Sequence, residues 1–514
     1  QLGDLVIQTN PDGGTTTYTY DTGGDQLSVT DPVGAVTSAT YDFMGRRITL
    51  TDQLKTPSVR NLTTSYSYDP AGRLAKTTSP AGVITTQTYN AAGETATSTD
   101  GANNVTSYTY DYAGRTTSLS NADNTKTTTS YDNLGNPVRS TDYNAAGTAL
   151  RSSTTSYDDN SRAVKVTDPR GGTTTLTYNS QGQVSAETQK VDATTNIETS
   201  FGYDPAGNRT RFTDGRGNTF LTTYNAWNLP ETQIEPATNT YPDLADRTWT
   251  AGYDANGNVT STTAPRNVTV TSSYDALGRL TGTTGSGAET TTAARSFTYD
   301  KAGRMLTATS GTATNTFTYD ERDALIGANG PSGNATFNYA ADGQLATRAD
   351  AAGLTQYSYD TAGRLATLTD PATGTTATIG YRSLNLVDSI SYGTNNDKRT
   401  FSYDSLHRLT DDSLKTAAGT TLGAISYGYD DNDNLTTKTT TGFAGATTNS
   451  YTYDLTNRLT NWDNGTTNTS YRYDASGNRI GSGTTTYTYD ARNQLLGDGT
   501  KTYTYTARGT QSGV

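Results

Sequence analysis

Tyr68-Asp69-Pro70-Ala71-Gly72-Arg73-Leu74 recurs as Tyr274-Asp275-Ala276-Leu277-Gly278-Arg279-Leu280 and as Tyr359-Asp360-Thr361-Ala362-Gly363-Arg364-Leu365. In register, 17 Tyr-Asp and three Tyr-Asn copies stand along the 514 residues, with degenerate copies at Tyr339, Tyr381 and Tyr505. The commonest spacing is 21 residues, as from Tyr20 to Tyr41 and from Tyr89 to Tyr110. A fixed period means one supersecondary unit stacked many times, so the fold follows from how neighbours stack.

The unit reads as a hairpin. Ser65-Tyr66-Ser67-Tyr68 and Ser470-Tyr471-Arg472-Tyr473 alternate aromatic with polar residues, a period-2 pattern in types that favour strands. Asp-x-x-Gly follows, with Pro tolerated second (Pro70, Pro205), the preference of a type I turn closed by a left-handed residue. Gly fills the last position in 13 of the 20 in-register copies, and the others are Ser161, Asn228, Asp323, His407, Asp433, Asn457 and Asn493. Six of those seven are Asn, Asp or His, which tolerate positive φ best. Bias toward the abundant Thr and Ala would not select them.

This turn sets Asp against the residue after Gly, which is Arg in nine copies: Arg46, Arg73, Arg115, Arg162, Arg279, Arg304, Arg364, Arg408 and Arg458. One step out, Tyr68 faces Leu74 and Tyr359 faces Leu365. A second turn of similar chemistry follows, as in Asp31-Pro32-Val33-Gly34 and Asp168-Pro169-Arg170-Gly171. Each repeat is therefore two strands and two turns. The Tyr-Asp turn keeps its length while spacings stretch to 27 (Tyr41 to Tyr68) and 29 (Tyr224 to Tyr253). One rim is then regular and the other carries variable loops, including 53–61 and 231–247, where specific contacts would be grafted. Near the end the spacing falls to 16 (Tyr473, Tyr489, Tyr505), so the strands shorten.

No linker interrupts the array, and 1–514 reads as one continuous array of about 23 repeats. About 46 strands at about 4.8 Å each would make a ribbon roughly 220 Å long. An open twisted sheet that wide curls. Only 32% of residues are apolar, and 36 Tyr outnumber nine Phe and three Trp, so a thick dry core is not expected. A net charge of −12 argues against nucleic acid as a partner. No apolar run is long enough to span a membrane as a helix. Zero cysteines exclude disulfides and zinc–thiolate sites. Gly3 and Leu5 fit the Gly and Leu positions of a turn whose Tyr and Asp would precede Gln1, and Val514 ends a returning strand. A segment of a longer polypeptide is the expectation.

Chemistry-bearing candidates are few. His407 is the sole histidine, which rules out a His-based triad or multi-His metal site within the chain, and it occupies the left-handed turn position. Asp430-Asp431-Asn432-Asp433-Asn434 starts like a calcium loop, but Leu435 stands where Gly is needed and Thr441 where Glu is needed. Nearly every Asp is explained as a turn residue, so no carboxylate pair stands out for hydrolysis. The expectation is a non-enzyme with no catalytic residue, cofactor or metal. Trp227 and Trp249 flank the longest insertion, as candidates either for pinning that loop or for stacking carbohydrate on the variable rim.

The consensus Tyr-x-Tyr-Asp-x-x-Gly-Arg-Leu resembles the YD-repeat (Rhs) family over essentially the whole chain. The resemblance implies an all-β fold: a long ribbon of antiparallel hairpins, two strands per repeat, spiralling into a hollow shell or barrel. In Rhs polymorphic toxins and insecticidal toxin complexes such a shell encloses a C-terminal toxin. In teneurins a similar barrel serves cell–cell adhesion. The Rhs-associated core, a self-cleaving aspartyl protease segment and a toxin domain are not present in these residues. The leading expectation is a secreted or surface-displayed bacterial shell whose cargo, a toxin, comes from flanking parts of the same polypeptide. The alternative is an adhesive or fibrous surface protein that binds carbohydrate or a partner protein.

Overall fold

In the computed structural model, residues 3–288, 290, 292–443, 445 and 447–514 are described. Among them are 48 strands, three single-turn 3-10 segments and no α-helix. Forty-four strands form one sheet. Each inner strand of this sheet pairs antiparallel with its predecessor and its successor in sequence, as Arg60–Tyr68 does with Arg47–Leu54 and Leu74–Thr78. The last four strands shrink to two or three residues and pair as two short hairpins.

The turn geometry follows from the sequence. The Asp69 amide donates to the Arg73 carbonyl at 2.8 Å, and the Gly72 amide donates to the Asp69 carbonyl at 2.9 Å. Asp69 Oδ1 accepts the amides of Ala71 and Arg73, so the carboxylate satisfies the donors its own turn exposes. Tyr68 pairs with Leu74 and Tyr359 with Leu365, each after a bulge. All seven non-glycine residues at the closing position are left-handed, with φ between 59° and 67°. Gly72, Gly278 and Gly363 take φ of 84°, 75° and 80°.

Nearly every repeat ends in a hydrogen bond that the alternation pattern does not reveal. Among the described residues, 22 of the repeat tyrosines donate their hydroxyl to a backbone carbonyl about one repeat earlier, at 2.6–3.2 Å. Tyr89 reaches Leu74 and Tyr359 reaches Leu345 in this way. A ring packed against the wall with its hydroxyl on a carbonyl lets a sheet of low apolar content stay closed. Buried apolar side chains are correspondingly few: Ala39, Leu54, Leu62, Val191, Ala264 and Ala507.

The ribbon coils upon itself. Residues separated by about 260–285 positions meet, as Lys55 and Thr56 do with Glu321, and Asp100 with Asn385. Between such partners the ribbon runs through 23 to 25 strands. At about 4.8 Å per strand one coil measures roughly 115 Å around and roughly 35 Å across, wide enough for a lumen inside a single-layer wall. The chain makes just under two coils.

Candidate functional site

The repeating rim unit is a three-way contact of Asp, Arg and Tyr. Arg73 Nε lies 2.8 Å from Asp69 Oδ2, and its guanidinium stacks over Tyr89 of the next repeat, 4.4 Å from the ring centre. All nine arginines of the Gly-Arg positions do the same, each over the tyrosine of the following repeat at 4.3–5.2 Å. Arg279 also donates to the Asp300 carbonyl at 3.0 Å and to Asp12 at 3.1 Å, and Arg364 donates to Asn385 at 3.1 Å. One guanidinium thus closes its own turn and binds the next hairpin.

The carboxylates respond accordingly. The side chain and amide of Arg73 hold Asp69 below the usual carboxylate range. Burial would raise Asp275 and Asp360, and hydrogen bonds from Arg279 and Arg364 outweigh it, so both are lowered. These groups are structural anions, held ionised rather than poised to exchange protons.

The larger construction is the joint between coils. The second-turn rim of the first coil seats the Tyr-Asp turns of the second. Glu321 accepts the amides of Lys55 and Thr56 at 2.9 and 3.1 Å. Asp342 accepts the Ser79 hydroxyl and the Ala81 amide at 2.6 and 2.7 Å. The Leu455 amide donates to the Val191 carbonyl at 3.0 Å, a backbone bond from coil to coil. Arg170 donates to the Tyr453 and Asp454 carbonyls at 2.9 and 3.0 Å, and Asp430 lies 3.1 Å from its Nε. Arg216 reaches the Asp490 carbonyl and Asn493 in the same manner.

The loop 231–247 belongs to this joint. Arg492 enters it with a side chain only 2% exposed and donates to the carbonyls of Pro236 and Asp246, while Glu235 lies 3.3 Å away. Tyr241 donates to the Tyr505 carbonyl at 2.6 Å. The loop 53–61 presents Lys55 and Thr56 to Glu321. Both variable loops of the first coil therefore contact their own chain.

His407 has φ 63° at the turn and places Nε2 2.8 Å from Asp123 Oδ2 across the joint. Asp430 caps its own turn through the amides of Asn432 and Asn434. The two tryptophans do not meet. Trp227 stands at the tip of the turn Asn225–Asn228, on the regular rim and away from the long loop. Trp249 pairs with Gln233 at the far end of the strand Pro230–Ile234. It lines a cavity of about 520 Å³ with Arg209, Phe212, Phe220, Gln233 and Glu235. Among the described residues, no group of three or more His, Cys, Asp or Glu could hold a metal ion, and no helix is long and apolar enough to cross a membrane.

Sequence reasoning missed the joint residues Arg170, Arg216, Glu321, Asp342 and Arg492. Their signal is present as charged side chains at turn tips, where other copies carry Ala, Pro or Gly.

Comparison with known proteins agrees with this architecture. The Teneurin YD-shell family profile matches residues 249–382 and 370–512, and the RHS Repeat profile matches 2–36, 58–84, 89–126 and 157–197. No curated protein sequence matches the chain. The crystal structure of TcdB2-TccC3 is similar over 99% of this chain and 35% of its own, at 15% identity and a TM-score of 0.73. That of TcdB2-TccC3-Cdc42 is similar over 99% and 37%, at 14% identity and 0.70. A Tc holotoxin pore from Photorhabdus luminescens is similar over 97% and 30%, at 14% identity and 0.57. The chain spans about a third of the length of these structures, and at such identity the likeness is one of fold. With the YD-shell profile alone running from 249 to 512, just over half of the residues, the chain belongs to the YD-repeat (Rhs-repeat) family.

Proposed function

We propose that this chain is the wall of a hollow bacterial shell that encloses a toxin carried by another part of the same polypeptide and helps to deliver it. The observation that carries the reading is the joint: a single-layer ribbon returns on itself every 23 to 25 strands and is sealed coil to coil by side chains and, among the described residues, one backbone bond. A wall sealed in this way suits containment. Similarity to solved TcdB2-TccC3 structures supports the same reading. The chain acts as a structural element rather than an enzyme, and its place of action is outside the producing cell, secreted or at the surface.

The test is composition. The particle made from the natural gene is purified, denatured, and every polypeptide in it is identified by mass spectrometry. A toxin-like domain, covalently continuous or cleaved but retained, is the expected result. A particle made only of repeats would overturn the reading.

A second reading has one specific observation in its favour. The cavity beside Trp249 combines aromatic walls with Arg209, Gln233 and Glu235, a composition suited to stacking and hydrogen-bonding a sugar. A glycan array probed with the protein and with Trp249→Ala decides it. Absence of any Trp249-dependent binding removes the adhesive, carbohydrate-binding version.

A further inference from the structure

The aromatic cavity beside Trp249 is built on a ladder of rings. Phe201, Phe212 and Phe220, three of the chain's nine phenylalanines, face one another across three successive strands. The ring centres of Phe201 and Phe212 lie 5.8 Å apart at 29°, and those of Phe212 and Phe220 lie 5.9 Å apart at 35°. Farther along the sheet Thr222 faces Gln233, and Gln233 faces Trp249. By period-2 alternation these side chains share the face of Tyr203 and Tyr224. The result is an aromatic shelf with an amide and a hydroxyl along one side.

Arg209 stands at the edge of that shelf. It faces the repeat tyrosine Tyr203, a position where other copies carry Leu74, Leu280 or Leu365. Its guanidinium lies 5.6 Å from the Phe201 ring centre. The nine rim arginines each hold the carboxylate of their own turn. Arg209 meets no carboxylate within ion-pairing distance among the described residues. Glu235, the one acid lining the cavity, is paired elsewhere, with Arg492 3.3 Å away across the joint. Arg211 belongs to the opposite face by the same alternation, and there Ser200 and Thr213 accept its hydrogen bonds. The cavity therefore holds one unanswered cation, in a chain whose net charge is −12.

Cross-strand rings stabilise a sheet, and that role explains the phenylalanines on its own. It leaves the donors of Arg209 unassigned. We propose that this cavity binds a carboxylated sugar, a uronic acid unit within a glycan: the carboxylate pairs with Arg209, an apolar ring face lies on Phe212 and Trp249, and hydroxyls bond Gln233 and Thr222. Resting on the carbohydrate reading of the same cavity, the site selects by charge as well as by ring. A volume of about 520 Å³ falls within the range of small-ligand sites. Nucleoside phosphates also combine rings with negative charge, but a single guanidinium does not balance a chain of phosphate groups.

The free acid and the methyl ester of one oligosaccharide share every ring and differ only in charge. Oligogalacturonate, alginate oligomers and hyaluronan oligomers, each in both forms, are titrated calorimetrically at low salt into the protein expressed from its natural gene. At least one acid should bind about tenfold or more tightly than its ester, the share of a charge-assisted bond, and added salt should narrow the gap. Arg209→Gln should bind both forms at the ester's affinity. Arg209→Lys should keep part of the preference, and it serves in place of the glutamine variant if that variant fails to fold. Trp249→Ala should lose both forms. Arg47→Gln, which changes the same position of an earlier repeat, facing Tyr41, should bind as wild type does.

Equal affinity for acid and ester, still dependent on Trp249, would overturn the charge selection and leave the carbohydrate reading standing. No binding of either form would overturn both. An acid preference that survives Arg209→Gln would place the charge recognition elsewhere and overturn the assignment to Arg209.

Discussion

Replacing Arg170 with alanine should open the joint while leaving the hairpins intact. The guanidinium donates to two backbone carbonyls of the second coil, Tyr453 and Asp454, approaches Asn457 at 3.2 Å, and pairs with Asp430 at 3.1 Å. The side chain is 19% exposed, so those acceptors are only partly rehydrated when it is removed. Hydrogen bonds to a charged donor contribute about 1.5–3 kcal/mol each net of water, and contributions from one group are not additive. A net loss of about 3 kcal/mol is a reasonable working figure for the truncation. A melting temperature would average this over an array that need not unfold in one step. Hydrogen exchange reads it locally. The Leu455 amide, bonded to the Val191 carbonyl across the joint, is the direct reporter, and the Ala81 amide, bonded to Asp342, is the distant one. A loss of about 3 kcal/mol corresponds to roughly 100-fold faster exchange at Leu455, with Ala81 changed far less. Arg73→Ala, which removes a pair and a stack within one coil, is the control and should leave Leu455 untouched. Exchange at Leu455 within threefold of wild type would refute the idea that this arginine holds the coils together. So would equal acceleration at both amides.

Three further outcomes follow from the geometry. Gly72, at φ 84°, should accept Asn with little loss but lose about 1 kcal/mol on replacement by Ala and more by Val; urea midpoints would show it, and equal midpoints for Asn and Val would contradict the turn assignment. Tyr359→Phe deletes the hydroxyl that donates to the Leu345 carbonyl at 2.8 Å and should cost about 1 kcal/mol, seen as faster exchange confined to the neighbouring hairpins. Acid should loosen the joint. Burial would raise Glu321 and Asp433, but the amides of Lys55 and Thr56 lower the first, and Arg151 and Arg408 lower the second. Because the folded groups are depressed, their contribution is complete above the ordinary carboxylate range and disappears as pH falls through the lowered values. Leu455 exchange, corrected for its intrinsic pH dependence, should rise in that window, and a flat profile would show that other contacts carry the joint.

The hairpins were legible in the sequence because their determinants are local. An Asp that caps its own turn and a closing residue that must take positive φ need only five consecutive residues, so Ser161, Asn228 and His407 could be placed correctly. The Tyr–Leu pairings were legible for the same reason. The stack of each arginine on the next repeat's tyrosine was not, because alternation assigns side chains to faces and is silent about how a long side chain leans along a rim. The joint was least legible. Its partners are set by how tightly the sheet curls, a property summed over 23 to 25 strands, and no single repeat encodes it. Trp227 is a different case. Asn225-Ala226-Trp227-Asn228 is itself a copy of the turn, and that register already placed it on the regular rim.

Coil-to-coil contact between residues some 260–285 apart constrains how such a chain can change over time. Adding or deleting one hairpin leaves every strand with a neighbour, yet it slides all later turns along the coil beneath by two strands, about 10 Å. Glu321 would then stand over the wrong amides and Arg170 under the wrong carbonyls. Second-turn loops of the second coil, which seat no later coil among the described residues, can lengthen without altering the strand count. Repeat number within a coil is then the quantity the joint constrains, and loop length away from the joint is the one left open to drift.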